Sequence, residues 1–171
     1  CDGLGNCLPQ CPAGAISFVE REAAEYDESA VKENKARIAA AEAEARESRL
    51  GNWPVQLKLL PPVSPVFRGA DILIAADCTA YAFAGFHERF IAGHTVIIAC
   101  PKLDATDYSE KLQQIFMLNN IKSIVVTRMQ VPCCGGLVRM VQAAMERSGK
   151  AIPCEVYTIS NSGQILNKET I

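Results

Sequence analysis

The stretch from Asp71 to Pro101, DILIAADCTAYAFAGFHERFIAGHTVIIACP, decides the fold. Its two ends, DILIAAD at 71–77 and TVIIA at 95–99, are short and almost continuously apolar, the pattern of strands covered on both faces. The segment between them, about 80–91, reads as a helix. The same texture continues outward: strands are expected at 55–60 (VQLKLL), 123–128 (SIVVTR) and 155–160 (EVYTIS). Helices are expected at about 107–119 and 135–148, the latter with Leu137, Val138, Val141, Ala144 and Met145 on one side. Strands alternating with helices imply an α/β fold with a mainly parallel sheet flanked by helices.

The ends of these strands carry the chemistry. Asp77-Cys78 follows the strand DILIAA, Cys100-Pro101 follows TVIIA, and Cys133-Cys134-Gly-Gly follows SIVVTRMQVP. If the strands are parallel neighbours, their carboxyl ends line one rim, where open α/β sheets bind ligands. One buried cysteine needs no explanation beyond packing. Three at equivalent strand ends point to convergence. A soft, sulfur-rich site selects an iron–sulfur cluster or zinc, and we expect a [4Fe-4S] cluster on Cys78, Cys100, Cys133 and Cys134. A zinc site, a free thiol at Cys133 or Cys134, and a strained, redox-active Cys133–Cys134 disulfide stay open as alternatives. Gly135 and Gly136 permit close backbone approach, and the helix that begins there would stabilise thiolates with its N-terminal N–H groups. Tyr81, Phe83, Phe86 and Phe90 either wall the cluster from solvent or are plain core. Lys102 either lowers a thiolate pKa, meets an acidic partner, or is simply solvated. His87 and His94 read as ordinary surface or core histidines, and Cys154, at the start of its strand, as structural.

A second cysteine cluster opens the chain. CDGLGNCLPQCP, residues 1–12, fits C-x₂-C-x₂-C-x₃-C-P with Leu4 in place of the second cysteine. This segment resembles the bacterial ferredoxins. The resemblance implies iron–sulfur ligation by Cys1, Cys7 and Cys11, with Cys11 serving a cluster whose other ligands lie upstream of residue 1. Leucine has no donor atom, so Cys1 and Cys7 with one upstream cysteine suit a [3Fe-4S] cluster or an open-cornered [4Fe-4S] cluster. The residues 1–171 alone are expected to leave those sites empty.

More widely, CDGLGNCLPQCPAGAI, NWPVQL, DILIAADCTAYA, ACPKLD and VPCCGGLVRM resemble a family of uncharacterised iron–sulfur proteins of anaerobes, with a two-motif ferredoxin head, a charged helix and an α/β domain. On this reading residues 1–22 are a partial ferredoxin-like motif, 23–52 a charged helical linker, and 53–171 a Rossmann-like α/β domain. The linker helix, about 28–49, is capped by Asp27 and laced with Glu28/Lys32, Glu33/Arg37 and Glu42/Arg46 pairs.

Composition narrows the function. The 171 residues suit one ordinary domain or a domain plus an appendage, 49% are hydrophobic, and 17 Lys and Arg against 19 Asp and Glu give a net charge of −2. Nucleic acid is therefore not an expected partner. No apolar run approaches the roughly 18 residues of a membrane span, and the start carries no leader. The first residue is Cys1, which suggests that an N-terminal piece is missing. Eight cysteines in a chain with a full core fit a reducing, cytoplasmic compartment better than a disulfide scaffold. The chain lacks G-x-x-x-x-G-K-[ST], G-x-G-x-x-G after a strand, G-x-S-x-G and H-E-x-x-H, so none of those devices supports nucleotide binding or hydrolysis. The leading expectation is an iron–sulfur electron-transfer protein working with a redox partner protein. The alternatives are a redox-sensing or zinc-binding module without catalytic activity, and a reductase with an open-site cluster.

Overall fold

The computed structural model describes residue 22 and residues 27–43 and 47–171. Cys1, Cys7, Cys11 and, but for residue 22, the expected partial ferredoxin segment lie outside the described residues. The chain divides into two compact units, Cys1–Glu47 and Ser48–Ile171.

The first unit contains helix α1, Glu28–Ala43. Asp27 caps it as expected, its Oδ1 accepting from Ala30 N at 2.9 Å and Ser29 Oγ at 2.6 Å. These bonds hold the Asp27 carboxyl below its ordinary range. The expected Glu28–Lys32 pair forms at 2.8 Å, and Arg37 donates to Asn34 Oδ1.

The second unit is built on β1 (Asp71–Ala76), helix α2 (Thr79–Ala82), β2 (Thr95–Ala99), helix α3 (Ser109–Leu118), β3 (Ser123–Met129), helix α4 (Gly135–Ser148), β4 (Cys154–Ile159) and β5 (Ile165–Thr170). The sheet order is β2-β1-β3-β4-β5, with the first four strands parallel and β5 antiparallel to β4. The central strands are apolar throughout because both faces are covered: Ile72, Leu73, Ile74, Ala75 and Ala76 are all buried. α3 buries Leu112, Ile115 and Phe116, and α4 buries Leu137, Val138, Val141 and Ala144, positions that recur on one helical face. Gly149 ends α4 in the left-handed conformation, φ 67°.

Three local expectations change. Residues 55–60 do not form a strand: Pro54 and the Pro61-Pro62 pair bracket them, Gln56 makes a single bridge to Ile98, and Leu57–Leu59 turn into a short 3₁₀ helix. The expected helix over 80–91 breaks after Ala82 and resumes as a wide turn at His87–Ile91. Phe83, Phe86, Phe90 and Tyr157 pack there ring against ring, with centroids 5.2–5.4 Å apart, Phe86, Phe90 and Tyr157 in the core and Phe83 against it. Strand β5 was not expected; its six residues are all exposed, so no buried alternation marks it. Among the described residues no helix is long and apolar enough to cross a membrane.

Candidate functional site

The chain leaves β1 toward β2 and leaves β3 toward β4, so the exits of these adjacent strands diverge. In open α/β sheets such a switch point opens a crevice. Cys78 follows β1, and Cys133-Cys134 follow β3.

A buried hydroxyl pair fixes the first exit. Thr79 Oγ1 donates to Ala76 O at 2.7 Å and lies 3.1 Å from Thr127 Oγ1 on β3. Both threonines are fully buried, so the turn carrying Cys78 is tied to the strand that delivers the other two thiols. At the second exit, Pro132 begins a 3₁₀ turn, Pro132–Cys134, that runs directly into α4. Proline suits this first position because its missing N–H would have had no helical partner.

Of the four expected thiols, Cys134 is influenced by both Cys133 and Cys78. Cys78 and Cys133 are exposed and Cys134 is buried. Burial pushes the Cys134 thiol above its ordinary pKa. A backbone hydrogen bond from Met129 opposes this, while the charge of Cys133, a hydrogen bond with Cys133 and the charge of Cys78 add to the rise. Cys100 stands half-buried. Its loop is closed on itself: Cys100 N donates to Asp104 Oδ2 at 3.0 Å, and Asp104 N donates to Cys100 O at 2.9 Å.

Asp104 links the rim to the core. The same Oδ2 accepts from Tyr108 Oη at 3.0 Å. Burial, the Asp104 hydrogen bond, and the charges of Asp104 and Asp77 push the Tyr108 phenol up to about 12. Asp77 is half-buried with its Oδ1 enclosed and without a hydrogen-bond partner, and burial followed by the charge of Asp104 raises its pKa. Thr79, Thr127, Asp104 and Tyr108 were not anticipated as site residues. The only sequence signal was a threonine inside the apolar run of β3 and another after Cys78.

The histidines stand away from this chemistry. His87 Nδ1 accepts from Arg49 N at 3.2 Å, and His94 Nδ1 lies 3.1 Å from Ala92 O. Cys154, at the start of β4, is fully buried, and burial with the Glu155 charge pushes its thiol to about 12. A cavity of about 430 Å³ beside α3, lined by Lys58, Tyr108, Glu110 and Lys111 among others, contains no cysteine.

Residues 64–171 match the Rossmann-like domain family. The chain belongs to that family. An uncharacterised protein of Archaeoglobus fulgidus is 38% identical over 114 residues, which cover 66% of this chain and 80% of that protein. No solved structure matches the chain. The family match corrects the expected kinship: the matching family is the Rossmann-like domain, not the ferredoxin-like iron–sulfur proteins of anaerobes. The description of the chain as a ferredoxin-type, iron–sulfur, [4Fe-4S], metal-binding electron-transport protein is corrected with it. Among the described residues, no group of three or more His, Cys, Asp or Glu side chains is disposed to hold a metal ion. Of the four thiols expected to act as ligands, Cys134 is buried and hydrogen-bonded with Cys133, Cys100 is half-buried, and Cys78 and Cys133 are exposed.

Proposed function

We propose that this Rossmann-like domain is a thiol–disulfide redox module, in which Cys78, Cys133 and Cys134 exchange two electrons with a disulfide of a partner protein in the reducing cytoplasm. The observation that carries this reading is that one buried and two exposed thiols follow the ends of the adjacent parallel strands β1 and β3, whose exits the Thr79–Thr127 pair ties together. Thiolates are the nucleophiles of disulfide exchange, and access sets which thiol attacks first. The exposed thiols Cys78 and Cys133 are therefore the entry points.

The cycle balances without a metal. An exposed thiol gives up its proton and attacks one sulfur of the partner disulfide, forming a mixed disulfide and releasing one partner thiolate. A second thiol of the trio then loses its proton and attacks the protein sulfur, closing an internal disulfide and releasing the second partner thiolate. The module is oxidised by two electrons, the partner disulfide is reduced, and the two protons pass to the partner sulfurs. With its pKa raised, Cys134 is the slow, resolving thiol, and the closing step accelerates as pH rises.

The test is anaerobic titration against the oxidised and reduced forms of dithiothreitol, followed by peptide mapping. The expected result is reversible loss of two thiols, with the new disulfide joining two of Cys78, Cys133 and Cys134 while Cys154 stays reduced. Thiols that remain reduced throughout would overturn the proposal. So would stoichiometric iron or zinc released on denaturation, because those sulfurs would then be ligands.

A further inference from the structure

The loops at the carboxyl rim, residues 77–86, 100–104, 130–139 and 160–164, contain only four charged residues: Asp77, Lys102, Asp104 and Arg139. They divide by exposure. The two carboxylates are half-buried, Asp104 engaged with Cys100 N and the Tyr108 hydroxyl and Asp77 enclosed beside it. The two cations are exposed, and neither forms an ion pair among the described residues. Desolvation, and after it the charge of Asp104, raise the Asp77 pKa. The charge that the rim presents outward is therefore positive, although the whole chain is slightly acidic.

Packing sets the Arg139 guanidinium and the loop that bears Lys102 at the start of α4, directly after Cys133-Cys134. The Arg139 guanidinium folds back over the first turn of α4, where its nitrogens lie 3.5 Å and 3.9 Å from the points that a Cβ on Gly135 and Gly136 would occupy. The absence of side chains at these two residues, directly after Cys133-Cys134, leaves that space open. On the other side of Gly136, Pro101 Cβ comes within 3.3 Å of the same Cβ point, which holds the loop bearing Lys102 against the start of α4. Tyr81 and Leu103, 94% and 80% exposed, project from the same rim loops and offer apolar contact to a polypeptide.

We infer that Lys102 and Arg139 make this thiol site selective for a disulfide on an acidic polypeptide segment, steering negative charge onto Cys78 and Cys133. This inference rests on the redox reading above and specifies the partner. Oppositely charged reactants in a cleft are concentrated by the local field, and the effect fades as salt shortens the screening length to about 3 Å at 1 M.

The experiment compares two symmetric peptide disulfides of equal length, one with its cysteine flanked by glutamates and the other by lysines, as oxidants of the fully reduced protein. At low salt the glutamate peptide should react on the order of tenfold faster. The preference should shrink toward unity at 1 M salt and reverse in the Lys102→Glu, Arg139→Glu double variant, with unchanged circular dichroism showing that the variant is folded. Equal rates for the two peptides, or a preference unmoved by the double substitution, would overturn the inference while leaving the thiol module standing. Failure of both peptides to oxidise the protein would instead overturn the redox reading itself.

Discussion

Replacing Gly163 with alanine tests whether the hairpin after β4 is locked against the turn that carries Cys78. Gly163 has φ 79°, and a Cβ built there would fall inside the van der Waals shell of Ala82 O, with Phe83 Cα also within 3.8 Å. Two costs add. The left-handed conformation costs an alanine about 1–2 kcal/mol. Forcing backbone apart to admit the methyl costs about 1–3 kcal/mol more, by analogy with overpacked cores. Gly149 supplies the internal control: its φ is 67°, but a Cβ there meets nothing within 4 Å, so Gly149→Ala carries only the first cost. Urea unfolding of both variants, followed by circular dichroism at constant slope, should place Gly163→Ala below Gly149→Ala by about 1–3 kcal/mol. Equal stabilities would refute the close approach. Because Ala82 O belongs to the segment leading from Cys78, Gly163→Ala should also change the rate at which Cys78 is alkylated, whereas Gly149→Ala should not.

Brief alkylation of the native protein, read by mass spectrometry, should label Cys78 and Cys133 first, Cys100 more slowly, and Cys134 and Cys154 last; early labelling of Cys154 would contradict its burial at the start of β4. Thr79→Val removes the donor to Ala76 O and strands the buried Thr127 hydroxyl, and should cost about 1–3 kcal/mol in urea unfolding; the double variant Thr79→Val, Thr127→Val should recover part of that loss. Tyr108 and Cys154 both hold their protons to about 12, above the ordinary values of 10.0 and 9.0, so the unfolded chain ionises first. Stability should therefore fall as pH climbs from 9 to 12, and a flat profile there would count against both assignments. Asp104→Asn removes a carboxylate that accepts the Tyr108 hydroxyl, so ultraviolet titration should find the Tyr108 pKa lowered in that variant.

The local pattern was legible because it depends on neighbours in the chain. Runs such as Asp71–Ala76 and Thr95–Ala99 announce strands covered on both faces, and the apolar face of Gly135–Ser148 announces a helix that packs on them. Residues 55–60 misled because an apolar run alone does not distinguish a strand from a short 3₁₀ turn bracketed by prolines. β5 stayed hidden because its pairing with β4 depends on backbone hydrogen bonds rather than on a buried apolar face.

The same division runs through the site. Sequence by itself placed Cys78, Cys100 and Cys133-Cys134 just beyond the ends of strands, since a strand's end is written where its apolar run stops. Only the tertiary structure decided which of those ends meet. The order β2-β1-β3 sets the β1 and β3 exits side by side, and the Thr79–Thr127 pair ties them, so the turn of Cys78 neighbours the strand that leads to Cys133 and Cys134. Cys100 is instead held in a loop closed by Asp104. Strand order and burial arise from contacts between residues far apart in the chain, which is why the cysteine spacing alone could not say which strand ends are neighbours or which thiols are buried.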